Sequence, residues 1–168
     1  MENTVPGAAG KMEGINMQRN QERAIFANMT VVYDTQGRVL VLDRKDPGWH
    51  GLAFPGGHVE DGESFTDAAI REIAEETGLT IRKLQLCGIK DWVREDGARY
   101  VVMLYKTCDF SGSVKSSEEG EVFWIPLSEL KAREKAEGMD ALIRLYAEDT
   151  LSEEYFYLEN GQWVEVLK

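Results

Sequence analysis

Apolar positions in this chain fall into short runs of strand character, separated by polar turns and interrupted by two stretches of helical period. Arg23 to Tyr33 reads as a first strand, Asp34-Thr35-Gln36-Gly37 as a turn, and Arg38 to Asp43 as the returning strand. A loop from Arg44 to Gly51 carries Pro47 and Gly48, and Phe54-Pro55-Gly56-Gly57 reads as a strand running into a tight turn. The period then lengthens. Phe65, Ala69 and Ile73 recur at i, i+4 and i+8 and predict the core-facing stripe of a helix, widened by Ile70. Ser64 suits its N-cap, with Asp67 as a weaker capping box, and Gly78 suits the left-handed residue after the last turn.

Beyond this helix, Ile81 to Val93 is an extended run with Leu84, Leu86 and Gly88 on one side, and Glu95-Asp96-Gly97 is a turn. Ala98 to Thr107 is strongly β-forming and predicts a central strand. A polar loop, Ser111 to Gly120, leads to a short strand, Glu121 to Ile125, stopped by Pro126. Ser128 and Glu129 open a helical stretch, and Met139, Leu142, Ile143 and Tyr146 give a second helix its buried face. Glu159-Asn160-Gly161 between Tyr155-Phe156-Tyr157-Leu158 and Trp163-Val164 predicts a hairpin. There is no internal repeat. Strands and helices in this order fit an α/β/α sandwich occupying residues 22–168. Residues 1–21 are polar, bear glycines and lack periodicity, and are expected to be a disordered extension; Met12 and Met17 could also begin the chain.

Composition narrows the class. A chain of 168 residues with 43% hydrophobic content suits one core. A net charge of -11 argues against a nucleic-acid-binding surface. No apolar run approaches membrane-spanning length and no signal-peptide core is present, so the expected setting is cytoplasmic. Cys87 and Cys108 match no metal spacing and lie in apolar runs, where buried free thiols in a reducing compartment are the simpler account. Exposed sheet edges or the C-terminal hairpin could pair two chains, but no pattern demands a homodimer.

The chemistry concentrates between Gly57 and Leu79. Glu72, Glu75 and Glu76 are spaced i, i+3, i+4, so a helix sets their carboxylates side by side. Two unit charges about 4 Å apart repel by roughly 4 kcal/mol at an effective dielectric near 20. Folding gives no reason to accept that repulsion. A hard divalent cation turns it into ligation, because magnesium prefers oxygen ligands and is often shared with phosphates. Arg71 can pair with an acid and hold its rotamer, and the glycines before the helix let main-chain groups approach a metal or a phosphate closely. A solvated acidic face is the plainer reading of three glutamates taken alone.

The whole spacing decides between these. Gly57, Glu63, Arg71, Glu72, Ile73, Glu75, Glu76, Gly78 and Leu79 fill every fixed place of Gly-x5-Glu-x7-Arg-Glu-U-x-Glu-Glu-x-Gly-U, where U is a bulky aliphatic residue. The segment resembles the signature box of the Nudix hydrolase family. That resemblance implies a mixed sheet between helices, with the box forming a loop-helix-loop. It implies hydrolysis of a nucleoside diphosphate linked to another group, using Mg2+, with Mn2+ as a substitute. By position, Glu72, Glu75 and Glu76 correspond to metal ligands and the Gly56 carbonyl to a further one. Glu63 corresponds to the residue that steadies the loop and metal shell, and Arg71 to the one orienting a catalytic glutamate. Related enzymes often supply a further acid shortly before a tryptophan. Glu119, upstream of Trp124, is the first choice for that ligand or base, with Glu118 and Glu121 as rivals.

Recognition of the base is less legible. Asn28 interrupts an apolar first strand, and an amide can read a purine edge, or simply bond to neighbouring backbone. Phe26, Thr30, Trp49 and Phe54 could wall a slot, Arg44 and Lys45 could contact phosphates, and His50 and His58 flank the turn. ADP-ribose hydrolases of the family tend to carry a proline about fifteen residues beyond the box, where this chain has Arg94 and Glu95. Dinucleoside polyphosphate hydrolases tend to carry a tyrosine soon after, which Glu95, Asp96 and Gly97 do not supply. The compact length, Asn28 and the runs around Phe54-Pro55-Gly56-Gly57 and Val122-Phe123-Trp124 look like MutT-type nucleoside triphosphate diphosphatases, some of which remove 8-oxo-dGTP. The expected substrate is therefore a purine nucleoside triphosphate. The competing readings are a nucleotide sugar, a dinucleotide or a capped RNA end, and a nucleotide sensor without turnover.

Overall fold

A computed structural model of the chain describes residues 21–168. Apart from Gln21, the expected extension at 1–21 lies outside the described residues. In chain order the elements are β1 (Ala24–Val32), β2 (Arg38–Arg44), β3 (Gly51–Ala53), α1 (Phe65–Thr77), β4 (Leu79–Arg82), β5 (Gln85–Val93) and β6 (Arg99–Thr107). They continue as β7 (Asp109–Gly112), β8 (Gly120–Pro126), α2 (Leu127–Leu130), α3 (Met139–Ala147), β9 (Glu153–Glu159) and β10 (Gln162–Leu167).

The largest sheet is mixed and five-stranded, in the order β1-β6-β5-β9-β10. β1 runs parallel to β6 and β5 parallel to β9, while β5–β6 and β9–β10 are antiparallel. β3-β2-β8 and β4-β7 form smaller sheets. One core packs Met139, Leu142 and Ile143 of α3 against Met29 and Leu104 of the large sheet and Val39 and Val41 of β2. Tyr146 closes this core by donating from its hydroxyl to the Met29 carbonyl at 3.1 Å. The other core sets Ile73 of α1 against Leu40, Leu42, Leu79, Ile81 and Val122. This is the mixed α/β architecture expected from the pattern.

Several local expectations need correction. The run Ile81 to Val93 is not one strand. Lys83 adopts a left-handed φ of 49°, and the chain turns there from the β4–β7 pair into the five-stranded sheet. β7, paired with β4, enters the stretch read as a polar loop, because backbone pairing needs no apolar pattern on a solvated edge. Phe65 is 38% exposed rather than buried. It begins α1 and lies edge-on to Phe26, ring centroids 5.1 Å apart, while the buried stripe starts one turn later with Ala68 and Ala69. Cys108 is exposed and Cys87 only half-buried, so neither thiol is sealed in a core.

Strand register decides what faces the site. Ala27, Val102, Lys90 and Glu154 form one row across β1, β6, β5 and β9, and Tyr100, Trp92 and Phe156 form the next row on the same face. The junction of β5 and β9 is tight. The register shifts between Leu86 and Gly88, Ile89 donates to the Ser152 carbonyl at 3.0 Å, and a Cβ on Gly88 would strike that carbonyl. Gly88→Ala is therefore expected to cost about 2 kcal/mol through overpacking. Calorimetry should show a fall in melting temperature of roughly 4–8 °C; an unchanged melting temperature would mean that the C-terminal hairpin docks more loosely than its register implies.

Candidate active site

The helix α1 is fixed at both ends. The Asp67 amide donates to the Ser64 hydroxyl at 3.1 Å, that hydroxyl donates to the Asp67 carboxylate at 2.7 Å, and Gly78 closes the last turn with φ 74°. The loop before the helix is laced to β1. The Asn28, Thr30 and Val59 amides donate to the carbonyls of Gly57, Pro55 and Phe26 at 2.8, 2.9 and 3.0 Å. Gly56 has φ 155°, and a Cβ there would run into the Asn28 carbonyl. Its amide donates to Glu76 Oε2 at 2.9 Å, which ties loop and helix together. A Cβ on Gly57 would come within 2.5 Å of the Glu72 carboxyl carbon, so these glycines let the carboxylates approach the backbone.

Arg71 organises the acids. Its guanidinium donates to both oxygens of Glu63 at 2.9 and 2.8 Å, to Glu72 at 2.9 Å, to Glu75 at 3.2 Å and to the His58 carbonyl at 3.0 Å. Glu63 also accepts from the Glu60 amide at 3.1 Å. These bonds, that from Arg71 foremost, hold the Glu63 carboxyl below its ordinary range. Glu76 has no such cation. It is 3% exposed, and burial pushes its carboxyl up to about 8, with the Glu119 carboxylate within hydrogen-bonding reach adding to the rise and the Gly56 amide opposing it. Glu72 is also raised, by burial first, against the pull of Arg71. Among the described residues no three ligating side chains stand at the spacing of a finished cation cage, and Arg71 draws Glu72 and Glu75 to itself. Even so, the Glu119 carboxylate lies close enough to raise the proton affinity of both Glu72 and Glu76, and Glu72 adds to the rise at Glu76. Such a surplus of hard oxygen donors fits a divalent cation.

This cluster opens into a cavity of about 770 Å³. Of the residues singled out in the sequence, Asn28, Arg44, Trp49, Gly56, Gly57, His58, Arg71, Glu72 and Glu119 line it. Glu63 stands behind Arg71, and Glu76 behind Gly56. The Asn28 side-chain amide donates to the Gly57 carbonyl at 3.2 Å, leaving its buried Oδ1 without a partner. The Arg44 guanidinium lies over the Trp49 ring at 5.0 Å and faces Glu119 at 3.7 Å, while the Trp49 indole donates to the Glu137 carbonyl at 3.1 Å.

Other expected base and phosphate contacts lie away from the cavity lining. Phe26 faces Phe65, on the side of β1 opposite Ala27. Thr30, four residues further along that face, is completely buried. Phe54 is a core residue packed edge-on against Tyr146 at 5.4 Å, beside a separate cavity of about 240 Å³. Lys45 is exposed and contributes its amide to the Glu119 carbonyl at 3.2 Å. His50 is exposed outside the cavity lining.

The far wall escaped the sequence reading. Lys90, Trp92, Tyr100, Phe156 and Trp163 line the cavity, together with Val102, Glu60 and Glu137. Trp92 and Tyr100 stack at 4.5 Å, and the Tyr100 hydroxyl hydrogen-bonds His58 Nε2 at 2.8 Å. Lys90 donates to Glu154 at 3.2 Å, and burial lifts that carboxyl to about 8 against the pull of Lys90. Alternation along Lys90-Asp91-Trp92 and Glu154-Tyr155-Phe156 was the available signal, but it needed the cross-strand register to become a wall.

A profile of the NUDIX domain matches residues 26–146. An uncharacterised Nudix hydrolase of Bacillus subtilis is 33% identical over 64% of this chain and 70% of its own length. An ADP-ribose pyrophosphatase of Methanocaldococcus jannaschii is 30% identical, with the match covering 54% of this chain and 54% of that protein, so the shared part is about half of each. The crystal structure of a mutator MutT protein from Bacillus halodurans superposes with a TM-score of 0.70 at 26% identity, covering 85% of this chain and 97% of that one.

The buried carboxylate yields a test. Glu76 titrates near 8 when folded against 4.5 in its unperturbed state. Its contribution to stability is whole below the unfolded value and is lost as pH rises through about 8. Glu76→Gln has no charge to acquire. In chelator, the melting temperature of the unsubstituted protein relative to this variant should fall between about pH 5 and pH 9; a constant offset would show that Glu76 is not strained by its burial.

Proposed function

The chain belongs to the NUDIX family, and from that premise we propose that it hydrolyses a purine (deoxy)nucleoside triphosphate, with 8-oxo-dGTP among the candidates, to the monophosphate and pyrophosphate. Nudix hydrolases are pyrophosphohydrolases of small nucleoside-diphosphate-linked molecules and use divalent cations. The finer assignment rests on one observation: a single cavity runs from the glutamate cluster to an aromatic wall. Its two ends suit the two ends of a nucleotide, hard-oxygen donors for a metal-bound polyphosphate and flat apolar faces for a base.

In this reading Glu72, Glu75, Glu76 and the Gly56 carbonyl would hold Mg2+, with Glu119 as a further ligand. When bound, the ion neutralises phosphate charge and lowers the pKa of water. Glu72 accepts the proton of the attacking water. Its carboxylate is held by Arg71 at 2.9 Å and its proton affinity is raised by burial, both of which suit a general base. Glu63 acts through Arg71, fixing the guanidinium with two bonds so that it cannot follow Glu72 as the proton arrives. Arg44, carried over Trp49, meets the polyphosphate at the mouth. Asn28 lines the same cavity and is the amide placed to contact the substrate. The protein's net charge of -11 repels such a substrate at long range, so capture depends on these local groups and the ion.

A panel of dGTP, 8-oxo-dGTP, dATP, ADP-ribose and a nucleotide sugar, with pyrophosphate and phosphate measured separately, tests this. Pyrophosphate release from the purine triphosphates is expected, with turnover in Glu76→Gln reduced by about a thousandfold, the scale of removing one group that stabilises transition-state charge, while its circular dichroism is unchanged. Faster cleavage of ADP-ribose than of any triphosphate would replace the substrate assignment. Full activity of Glu76→Gln at saturating magnesium would remove the metal assignment.

A further inference from the structure

We propose that Lys90, held on the aromatic wall by Glu154, reads the base of the nucleotide and selects a 6-oxopurine over adenine; this rests on the reading of the cavity as a purine nucleotide site.

The side chain of Lys90 is 14% exposed, and that exposure is to the cavity. An ammonium group has three N–H donors. Among the described residues, Lys90 uses one hydrogen bond, to Glu154 Oε1 at 3.2 Å. Glu154 is fully buried, so the ligand meets Lys90 and not its partner. The ammonium also rests over the Phe156 ring at 4.6 Å. From the other side Gly138 leaves it room, since a Cβ there would come within 2.5 Å of Nζ. The amine is thus anchored from below and flanked by an aromatic face, with donors to spare in a side chain that lines the cavity.

Register places Lys90 at the base end rather than the phosphate end. It stands on β5 two residues before Trp92, with Tyr100 stacked on that indole and Phe156 paired across it. Trp163, from the turn-proximal end of the C-terminal hairpin, is 51% exposed and extends the same wall. Successive aromatic faces receive bases by stacking and do not discriminate among them. Discrimination must come from a polar group between them. A lysine donor matches the O6 acceptor of a 6-oxopurine, whereas adenine presents an amino donor at C6; N7 accepts in both, so the discrimination is at C6. Lys90 remains a donor whichever protonation state Glu154 adopts, so the preference belongs to the lysine. Glu154 is a positioning residue.

Inosine 5′-monophosphate and adenosine 5′-monophosphate differ at C6, an acceptor oxygen in one and an amino donor in the other, and share N7. Their binding to the full chain, in chelator and without turnover, can be followed by tryptophan fluorescence, because Trp92 and Trp163 line the cavity. The unsubstituted protein is expected to bind the inosine nucleotide about tenfold more tightly, and Lys90→Met to remove that preference by weakening inosine nucleotide binding alone. If Lys90→Met fails to fold because Glu154 loses its partner, the double variant Lys90→Met/Glu154→Gln carries the same test. Equal binding of the two nucleotides by the unsubstituted protein would overturn the proposal. So would an equal loss for both in the variant, which would make Lys90 a phosphate contact or a packing residue. An inosine preference that depends on Lys90, in a protein that hydrolyses no purine triphosphate, would sustain the base reading and remove the proposed activity instead.

Discussion

Everything at this site follows from crowding carboxylates around one arginine. Glu63, Glu72 and Glu75 all bond to Arg71, while Glu76 is buried beyond its reach with Glu119 beside it. Burial first, and neighbouring carboxylates after it, disfavour the ionised form of Glu76, and its raised proton affinity records that cost. A fold retains such an arrangement when something else stabilises the charges. The glycines at 56 and 57 belong to the same constraint, since side chains there would collide with β1 or with Glu72. The loop, the helix cap and the bonds to β1 keep the acids together in spite of their repulsion.

The second element is the face of the large sheet. Its rows of side chains are set by register, so the parallel docking of β9 on β5 brings Phe156 beside Trp92 and Glu154 beside Lys90. The Tyr100–His58 hydrogen bond joins that wall to the loop, and Arg71 binds the His58 carbonyl. The aromatic wall and the acid cluster are therefore connected through two hydrogen bonds about one residue. A shift of the wall would be felt at the guanidinium that orients Glu72.

The acid end was legible from the chain because its chemistry is local. Capping by Ser64 and Gly78, the helical spacing of the glutamates, and the glycine pair all act within about twenty residues, and the structure assembles them as a unit. The aromatic end was not legible. Phe26, Thr30 and Phe54 had the right chemistry, but strand parity and core packing turned them elsewhere. Lys90, Trp92, Phe156 and Trp163 come from strands far apart in sequence, and only pairing brings them together. Cys108 and Phe65 failed for a related reason: apolar character marks a strand or helix without saying which end of it meets solvent.

The central claim is that the glutamate cluster exists to bind a hard divalent ion. The most direct measurement is a titration of metal-free protein with Mn2+, followed through the spin-resonance signal of the free ion. Saturable uptake is expected, lost when Glu72 and Glu75 are both replaced by glutamine. A free-ion signal that rises from the first addition as it does in buffer would contradict the account.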